Sequence, residues 1–425
     1  MKKVLIITYY FGQMEQIGAS RLRGLAKFLP EFGWEPVVMT PKTEMDQELN
    51  TRIEETDYKD LVFKWKKMLG VDPDKSLKGA HGLPEFSHKN RRTVMDLAVL
   101  MWEEVFAYPD LCSGWYEPAV EVGRQLVRRE EFCAMISSSS PVTCHLIAKD
   151  LKKEFGIPWI ADLRDLWTQN HYYRHSNIRK LIEGKLERDT LALADCITTV
   201  STPLEKQLAM IHRNKQIHTI QNGYNPQDRR KSLSLTNRFS ITYTGSLYRG
   251  RRDPEPLFEA LRELIDIGKM DSKDIELIFV GEAEEWLAKD VRKYALEDVV
   301  SILGKKTREE ALGKQRESQM LLLLTWNDAR ELGVYTGKLF DYLASMRPIL
   351  SIGVRGNVID DLLRRTNTGV HVSTVDEVKE LLLRKYSEFK LTGKVKYDGR
   401  ENELSKYSQE EMSMKFAEIL NEISA

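Results

Sequence analysis

The sequence lacks an excess of charge of either sign, since 64 lysine and arginine residues stand against 64 aspartate and glutamate residues along its 425 positions. A balanced charge creates no long-range field, so the composition argues against a nucleic-acid-binding protein. Cysteine is scarce and forms no Cys-x-x-Cys pair, which excludes a cysteine zinc site and a disulfide framework. The thiols are typical of buried side chains in a cytoplasmic protein: Cys112, Cys133, Cys144 and Cys196.

Long apolar runs are also missing from the sequence. No segment approaches the roughly 20 apolar residues that a membrane-spanning helix needs. The apolar start contains Thr8, Tyr9 and Tyr10 and is followed by no small-residue cleavage site, so it predicts a buried parallel strand rather than a signal peptide. We therefore expect a cytoplasmic protein that is associated, at most, with the inner face of the membrane.

Several catalytic motifs are absent as well. The chain has no Gly-x-Ser-x-Gly elbow, no P-loop, no His-Glu-x-x-His and no Gly-x-Gly-x-x-Gly fingerprint. These absences argue against a serine hydrolase, a P-loop enzyme, a zinc protease and an NAD-dependent enzyme. His171 and His175 have helical ligand spacing, but the pattern places no carboxylate partner beside them. We expect neither a metal site nor a bound cofactor.

Short apolar runs alternate with helical patterns through most of the chain, which predicts an α/β protein with parallel sheets. The alternation of strand and helix patterns begins again after a polar segment that has the composition of a linker. We therefore predict two doubly wound, Rossmann-like domains that face each other across a cleft. The predicted parts are a first domain at 1–223, a linker at 224–238, a second domain at 239–400, and a helix at 401–425 that crosses back to the first domain.

The stretch from about 41 to 115 breaks this rhythm and is predicted to be an insertion in the first domain. Its segment 58–92 holds nine lysines and arginines against four acidic residues, interleaved with aromatic and apolar side chains. Such a segment suits an anionic membrane surface or a lipid-linked acceptor. The alternative is a solvated lid with a few packing anchors.

Candidate site residues in the first half lie after strands, at the edge where α/β proteins hold their ligands. The run from Gly18 to Ser20 opens a helix with small residues, which lets phosphate or sugar approach the backbone closely. Asp162, Arg164 and Asp165 follow a predicted strand directly, and the carboxylates could orient an acceptor hydroxyl or take its proton. The alternative is a self-contained ion network that stabilises the loop.

In the second half, a strand that ends at Gly245 is followed by an arginine-rich loop and then by a helix. The loop carries Arg249, Arg251 and Arg252. Guanidinium groups match phosphate oxygens, so the loop predicts an anion site. Two further strands end in glycine before a helix, and main-chain groups there could read the edge of a base.

The segment Gly333–Leu350 joins a turn rich in glycine and threonine to a helix that carries Lys338 and Asp341. Positions i and i+3 share a helix face. A helix N-terminus offers a phosphate both free N–H groups and the positive end of the dipole. Asp341, one turn further in, could accept hydrogen bonds from a ribose diol. The alternative is an amphipathic helix whose two charges are merely solvated.

Together these motifs resemble the GT-B-fold nucleotide-sugar glycosyltransferases, in particular the family-4 retaining group of bacterial surface polysaccharide synthesis. The resemblance covers nearly the whole chain apart from the insertion. It rests on the order and spacing of ISSSSP with GIPWIADLRDLW, TTVSTPL, IQNGYN, YTGSL, FVGE, ILGK and GKLFDYLASMRPIL. It implies a metal-independent hexosyltransferase that needs no cofactor. The enzyme would move a sugar from a nucleotide-diphosphate sugar to a glycan or lipid-linked acceptor.

The resemblance also implies roles for single residues. Arg252 would replace a diphosphate-binding lysine, Asp341 would hold the ribose, and Glu282 and Lys305 would lie near the base. Asp162 and Asp165 are the acceptor-positioning candidates on the other side, with Arg164 between them. The full set of predicted donor-binding residues is Gly18, Ser20, Gly245, Arg249, Arg252, Glu282, Lys305, Val334, Tyr335, Thr336, Gly337, Lys338 and Asp341.

The sequence departs from the family's pattern at three positions. The first glutamate of the family's E-x7-E motif would fall at Gly333, although Glu331 lies two residues earlier, and the second is the shorter Asp341. Ser246 occupies the position where the family has an arginine, and Arg249 could take the role of that arginine. Two alternative functions follow: a nucleotide-sugar epimerase of the same fold, or a non-catalytic GT-B-like subunit of a polysaccharide assembly complex.

Overall fold

The computed structural model describes residues 1–12, 17–42, 50–59, 104, 108–171, 173, 175–230 and 233–425. The predicted membrane-contact segment 58–92 lies, apart from its first two residues, outside this part of the chain. The chain divides into two compact units. The first comprises Met1–Thr199, Glu205–His218 and Ala417–Ala425, and the second comprises Val200–Leu204 and Thr219–Phe416.

The first unit is built on a seven-stranded sheet in the order β3-β2-β1-β4-β5-β6-β7, counted over the described residues. Its strands are β1 (Lys2–Ile7), β2 (Trp34–Pro41), β3 (Arg52–Thr56), β4 (Ala134–Ser139), β5 (Trp159–Leu163), β6 (Cys196–Thr199) and β7 (Ile217–Thr219). The pairs from β3 to β6 are parallel. The helices that begin in this half are α1 (Ile17–Phe28), α2 (Tyr116–Arg129), α3 (Thr143–Phe155), α4 (Asn177–Leu191) and α5 (Thr202–Ile211).

The second unit is built on a six-stranded parallel sheet in the order β10-β9-β8-β11-β12-β13. Its strands are β8 (Phe239–Thr244), β9 (Ile275–Val280), β10 (Val300–Ile302), β11 (Met320–Leu324), β12 (Ile349–Ile352) and β13 (Gly369–Val372). The helices in this half of the chain are α6 (Glu255–Asp266), α7 (Glu285–Lys293), α8 (Arg308–Glu317), α9 (Gly337–Ser345), α10 (Val358–Thr366), α11 (Val375–Thr392), α12 (Glu401–Leu404) and α13 (Gln409–Ile423). The last part of α13, from Ala417 onward, belongs to the first unit.

The strand order of each sheet reverses direction once, which creates a crevice at the carboxyl ends of two neighbouring strands. In the first unit this point lies between β1 and β4, and in the second unit it lies between β8 and β11. The central strands β4, β5, β8 and β11 are buried at every residue, as parallel strands covered by helices on both faces should be. Residues just beyond these strand ends are therefore the ones that a ligand can reach.

One detail differs from the sequence-based expectation. Strand β5 continues to Leu163, so Asp162 lies inside the buried strand instead of in the loop after it. In the segment predicted as a linker, Tyr224 is buried and Pro226–Arg230 form a short 3-10 helix. Within the described ranges, the helices are all too short or too polar to cross a bilayer.

Candidate functional site

Three glycines meet at the carboxyl edge of the second sheet. The N–H of Gly245 donates to the carbonyl of Val280, and the N–H of Gly281 donates to the carbonyl of Gly304. A Cβ atom on Gly281 would lie 2.4 Å from the carbonyl oxygen of Gly245, which leaves no room for a side chain. The ends of β8 and β9 therefore approach each other so closely that only a glycine fits at position 281.

An aromatic pair with two arginines lies at the reversal point between β8 and β11. Tyr248, in the loop after β8, stacks on Trp326, in the loop after β11, with 5.4 Å between ring centroids. The guanidinium of Arg252 lies 4.9 Å from the Trp326 ring centroid and 5.4 Å from that of Tyr248. Arg251 lies 5.4 Å from the same tryptophan ring. Cation–π contacts thus hold Arg252 in place without neutralising its charge.

Lys338 lies beside Arg252. Its amine stands 3.9 Å from the ring centroid of Tyr243, donates to the Tyr243 hydroxyl, and packs against Gly245. Burial, and secondarily the charge of Arg252, hold the pKa of Lys338 well below its usual range. Neither cation forms a salt bridge within the described residues. Two adjacent basic groups that have no salt-bridge partner in the described part of the chain are an arrangement that can attract an anion.

The N-terminus of α9 adds main-chain donors to these cations. Thr336 is the N-cap and makes no side-chain capping hydrogen bond, and its buried hydroxyl has no partner within the described structure. The first N–H groups of any helix lack an intrahelical acceptor, and in this helix that applies to Gly337 and Lys338. Since Lys338 is itself a residue of this first turn, donors and cations lie together, as a phosphate group requires.

Asp341 has a partner that the sequence did not reveal. Its carboxylate accepts hydrogen bonds from both terminal nitrogens of Arg308, at 2.8 and 3.3 Å. Arg308 is the first residue of α8, directly after the capping residue Thr307. Asp341, the residue predicted to bind ribose, is therefore paired with Arg308, which fixes its orientation, and 27% of its side chain remains exposed. The prediction that it binds ribose stays open.

The remaining predicted donor residues lie around this centre. Arg249 is exposed and lies over the ring of Trp286, at 5.9 Å from its centroid, rather than beside Arg252 and Lys338. Glu282 and Lys305 are exposed and directly follow the strand-end glycines. The structure thus brings two of the three predicted diphosphate-binding cations together and leaves Arg249 separate.

Gly333, where the family's first glutamate would fall, lies against the segment Val200–Leu204. A Cβ atom there would be 3.0 Å from Cβ of Pro203 and 3.2 Å from the hydroxyl oxygen of Ser201. The nearby Glu331 is 8% exposed and belongs to a short 3-10 helix. Packing against Pro203 and Ser201 therefore explains why a glycine, and not an acidic residue, occupies this turn.

We expect Gly333→Glu to lower the free energy of unfolding by about 1–3 kcal/mol, because the new side chain must displace well-packed neighbours. Gly313→Glu is the matched control, since the nearest atom to its Cβ would be 3.9 Å away, on Leu233. Thermal unfolding of both variants checks the prediction. Equal melting temperatures would show that the turn has room for the family's glutamate.

In the first unit, Asp162 forms a buried ion pair with Arg21 of α1. The two side chains are 0% and 1% exposed and are joined by hydrogen bonds of 2.9 and 3.0 Å. The hydroxyls of Ser138 and Thr198 donate to the same carboxylate, at 2.7 and 2.8 Å. The expected ion network exists, but its cation is Arg21, which sequence reasoning missed. Both oxygens of Asp162 have partners and the side chain has no access to solvent, so the carboxylate joins β5 to α1; that it positions an acceptor stays a prediction.

Arg164 and Asp165 lie nearer the surface than Asp162. The guanidinium of Arg164 donates to the carbonyls of Ser139 and Ser140, at 2.6 and 3.1 Å, and so fixes the serine-rich loop. It also covers Gly18, where a Cβ atom would lie 2.3 Å from a guanidinium nitrogen. Asp165 is exposed. It is therefore the carboxylate of this group that an acceptor hydroxyl can reach.

One histidine of the pair at helical ligand spacing, His175, has a carboxylate partner. Nδ1 of His175 lies 2.9 Å from Glu104, a carboxylate that the sequence pattern had not placed there. Glu104 also accepts from the main-chain N–H of Ser176, at 3.1 Å, so it tethers the start of α4. No cluster of three histidine, cysteine or acidic side chains suited to a metal ion occurs in the described part of the chain.

Comparison with known proteins identifies the fold. No family model matches the chain, and no curated protein matches it in sequence. Sucrose-phosphate synthase from Thermosynechococcus elongatus matches 100% of this chain and 99% of its own at 14% identity, with a TM-score of 0.62. A glycosyltransferase from Rickettsia africae matches 99% and 98% at 13% identity, also with a TM-score of 0.62. HepE from Anabaena, in complex with UDP and glucose, matches 99% and 100% at 12% identity, with a TM-score of 0.63.

In each comparison the structural match covers nearly the full length of both chains. At such low sequence identity they establish the architecture and nothing about activity. The predicted fold is confirmed: the chain has the GT-B fold, with two Rossmann-like units that each carry a parallel sheet between helices.

Proposed function

We propose that the protein is a glycosyltransferase that takes a sugar from a nucleotide-diphosphate sugar. The acceptor is a glycan or a lipid-linked sugar of bacterial surface polysaccharide synthesis, and the sugar is transferred with retention and without a metal ion. The proposal is supported by the GT-B fold and by one structural neighbour, HepE from Anabaena, which was solved in complex with UDP-glucose. Its main support, however, is a feature of this chain.

That feature is the pair of unneutralised cations, Arg252 and Lys338, at the reversal point of the second sheet. It lies beside the donor groups of the α9 N-terminus and the main-chain edge formed by the strand-end glycines. A diphosphate satisfies both cations and the N–H groups at once, because its oxygens accept from each of them. Asp341, oriented by Arg308, is then one helical turn from the phosphates, where a ribose would follow.

The same groups would assist the chemistry. Charge builds up on the departing diphosphate in the transition state, and fixed cations stabilise that charge more than they stabilise the ground state. Arg252 is held by two aromatic rings and Lys338 by Tyr243, so neither has to reorganise during the reaction. In the first unit, Asp165 would orient the acceptor hydroxyl, with Arg164 fixing the loop beside it.

A thermal-shift panel of nucleoside diphosphates and nucleotide sugars tests the proposal. A ligand at 100 times its dissociation constant stabilises a fold by about 2.7 kcal/mol, so the matching nucleotide should raise the melting temperature by several degrees. UDP and UDP-glucose are the first compounds to try. Uridine, which lacks the phosphates, and inorganic phosphate, which lacks the nucleoside, serve as controls. Absence of a shift with every nucleotide would contradict the proposal.

One observation favours a second candidate, a non-catalytic subunit of a polysaccharide assembly complex. Packing of Gly333 against Pro203 removes an acidic residue that the family keeps in this turn. Such a subunit could bind a nucleotide but would turn none over. Incubation with the nucleotide sugar that gives the largest thermal shift, with and without glycan acceptors, separates the candidates: release of nucleoside diphosphate supports the enzyme. Epimerised sugar without acceptor would instead identify an epimerase.

A further inference from the structure

Helix α4 has an unusual distribution of side chains. Three of its charged residues face the protein, because Arg179, Glu183 and Glu187 are all buried. Three of its aliphatic residues face solvent: Ile178, Leu181 and Ile182 are 72%, 76% and 56% exposed. In an ordinary surface helix the apolar stripe faces the core and the charges face water. The reversed arrangement needs a physical explanation.

The inward charges are fully accounted for by specific partners. Arg179 donates to Glu183 one turn later, at 2.7 Å, and the ring nitrogen of Trp167 donates to the same carboxylate at 3.2 Å. Glu187 accepts from the main-chain N–H of Thr168, at 3.2 Å, and lies 3.4 Å from His212. A buried charge is tolerated only when it is paired in this way. These contacts fix the rotation of the helix, so the aliphatic face cannot turn inward.

The outward face combines the three aliphatic side chains with basic ones. Residues 178, 181 and 182 are neighbours on one helix face, at the i, i+3 and i+4 positions. Lys180, Lys185 and Arg188 are exposed on the same helix, and Asp189 is its one exposed acidic residue. Because both glutamates are directed inward, the surface of α4 carries a net positive charge beside its apolar patch.

We propose that this face of α4 docks onto an anionic lipid bilayer. Aliphatic side chains enter the boundary of the acyl chains, while long basic side chains remain at the level of the headgroups and contact anionic lipids. A second copy of the chain fits less well. Two such faces would place like charges opposite each other, and three aliphatic residues cover far less than the roughly 1,200 Å² or more of a stable interface. This proposal does not rest on the proposed transferase activity.

Vesicle sedimentation with the full chain tests the proposal. The probes are vesicles of three parts phosphatidylcholine to one part phosphatidylglycerol, and vesicles of phosphatidylcholine alone. We expect binding to the mixed vesicles that weakens in high salt. The combined variant Ile178→Gln, Leu181→Gln and Ile182→Gln should lower the partition coefficient by about tenfold or more, because it removes the inserted apolar surface.

The control is a matched triple variant, Met210→Gln, Ile267→Gln and Leu391→Gln, which alters aliphatic residues that are similarly exposed elsewhere. It should bind vesicles as the unaltered chain does. The pair Lys185→Glu and Arg188→Glu should lose binding to mixed vesicles. Equal binding by both triple variants would overturn the proposal. So would a dimer, measured by light scattering, that dissociates only in the α4 variant, since the face would then bind a second copy.

Discussion

Asp162→Asn is expected to lower the free energy of unfolding by about 3–5 kcal/mol, the usual cost of removing one partner from a buried ion pair. Asparagine has nearly the same shape but no charge, so Arg21 would remain buried beside a neutral group. The hydroxyls of Ser138 and Thr198 would also lose a charged acceptor. The cost arises mainly from the uncompensated cation, since the pair joins α1 to the centre of the sheet with almost no solvent contact.

Asp57→Asn is the matched control within the same unit. Asp57 pairs with Lys42 at 2.6 Å, but both side chains are largely exposed. Exposed pairs contribute about 0–1 kcal/mol, so this change should be nearly neutral. Denaturant unfolding followed by tryptophan fluorescence measures both variants. A loss below about 1 kcal/mol for Asp162→Asn would show that the pair does not stabilise the fold.

The same pair predicts a dependence of stability on pH. Burial acts to raise the pKa of Asp162, but Arg21 and the two hydroxyls outweigh it and hold the pKa below its ordinary value. A carboxyl with a depressed folded-state pKa contributes its stabilisation fully above the unfolded pKa, about 3.9. That contribution disappears as the pH falls through the folded-state pKa. Acid unfolding of Asp162→Asn should therefore be less steep below about pH 4 than that of the unaltered chain.

Arg252→Ala and Lys338→Met are each expected to raise the dissociation constant for the nucleoside diphosphate by about tenfold or more. A charge-assisted hydrogen bond contributes about 1.5–3 kcal/mol, and each change removes at least one. Methionine keeps most of the volume of Lys338 against Gly245 and Tyr243, so the loss reports charge rather than packing. The measurement is calorimetric titration with the nucleotide that gives the largest thermal shift.

The control for these variants is Arg364→Ala, an exposed arginine of the second unit that pairs with Asp361. Its nucleotide affinity should not change. An anion beside Lys338 should raise the pKa of its amine, which burial and the charge of Arg252 hold low in the free protein, so any protons exchanged on binding at this residue should be taken up and not released. Unchanged nucleotide affinity in Arg252→Ala would show that the diphosphate does not bind at Arg252, and this conclusion would hold whether or not the protein is an enzyme.

Sequence reasoning could select Lys338 and the arginine loop as candidates for an anion site because their signals are local. Lys338 follows a turn that opens a helix, and the arginine loop follows a strand that ends in glycine. Both patterns can be read within about a dozen residues. The aromatic residues that hold Arg252 could not be inferred from the sequence. Tyr248 and Trp326 lie in loops after strands that are not consecutive in the chain. They meet only because β8 and β11 are neighbours in the sheet.

Long-range pairs explain the remaining differences. Asp162 and Arg21 are 141 residues apart, and Asp341 and Arg308 are 33 apart. No local periodicity in the sequence links such positions. The sequence pattern therefore gave no sign that the carboxylate of Asp162 is paired with Arg21. Burial of Asp162 depended on two further residues of β5, a difference within the usual uncertainty of a strand end.

The sequence by itself determined the alternation of strands and helices, the strand-end glycines and the helix that begins at Gly337, since each depends on neighbours within a few turns. Only the tertiary structure decided which side chains meet. It paired Asp162 with Arg21, placed Arg252 beside Lys338, and oriented α4 so that three of its charged side chains are buried. The physical reason is that ion pairs and stacked rings depend on the order of strands in space, which the order along the chain does not specify.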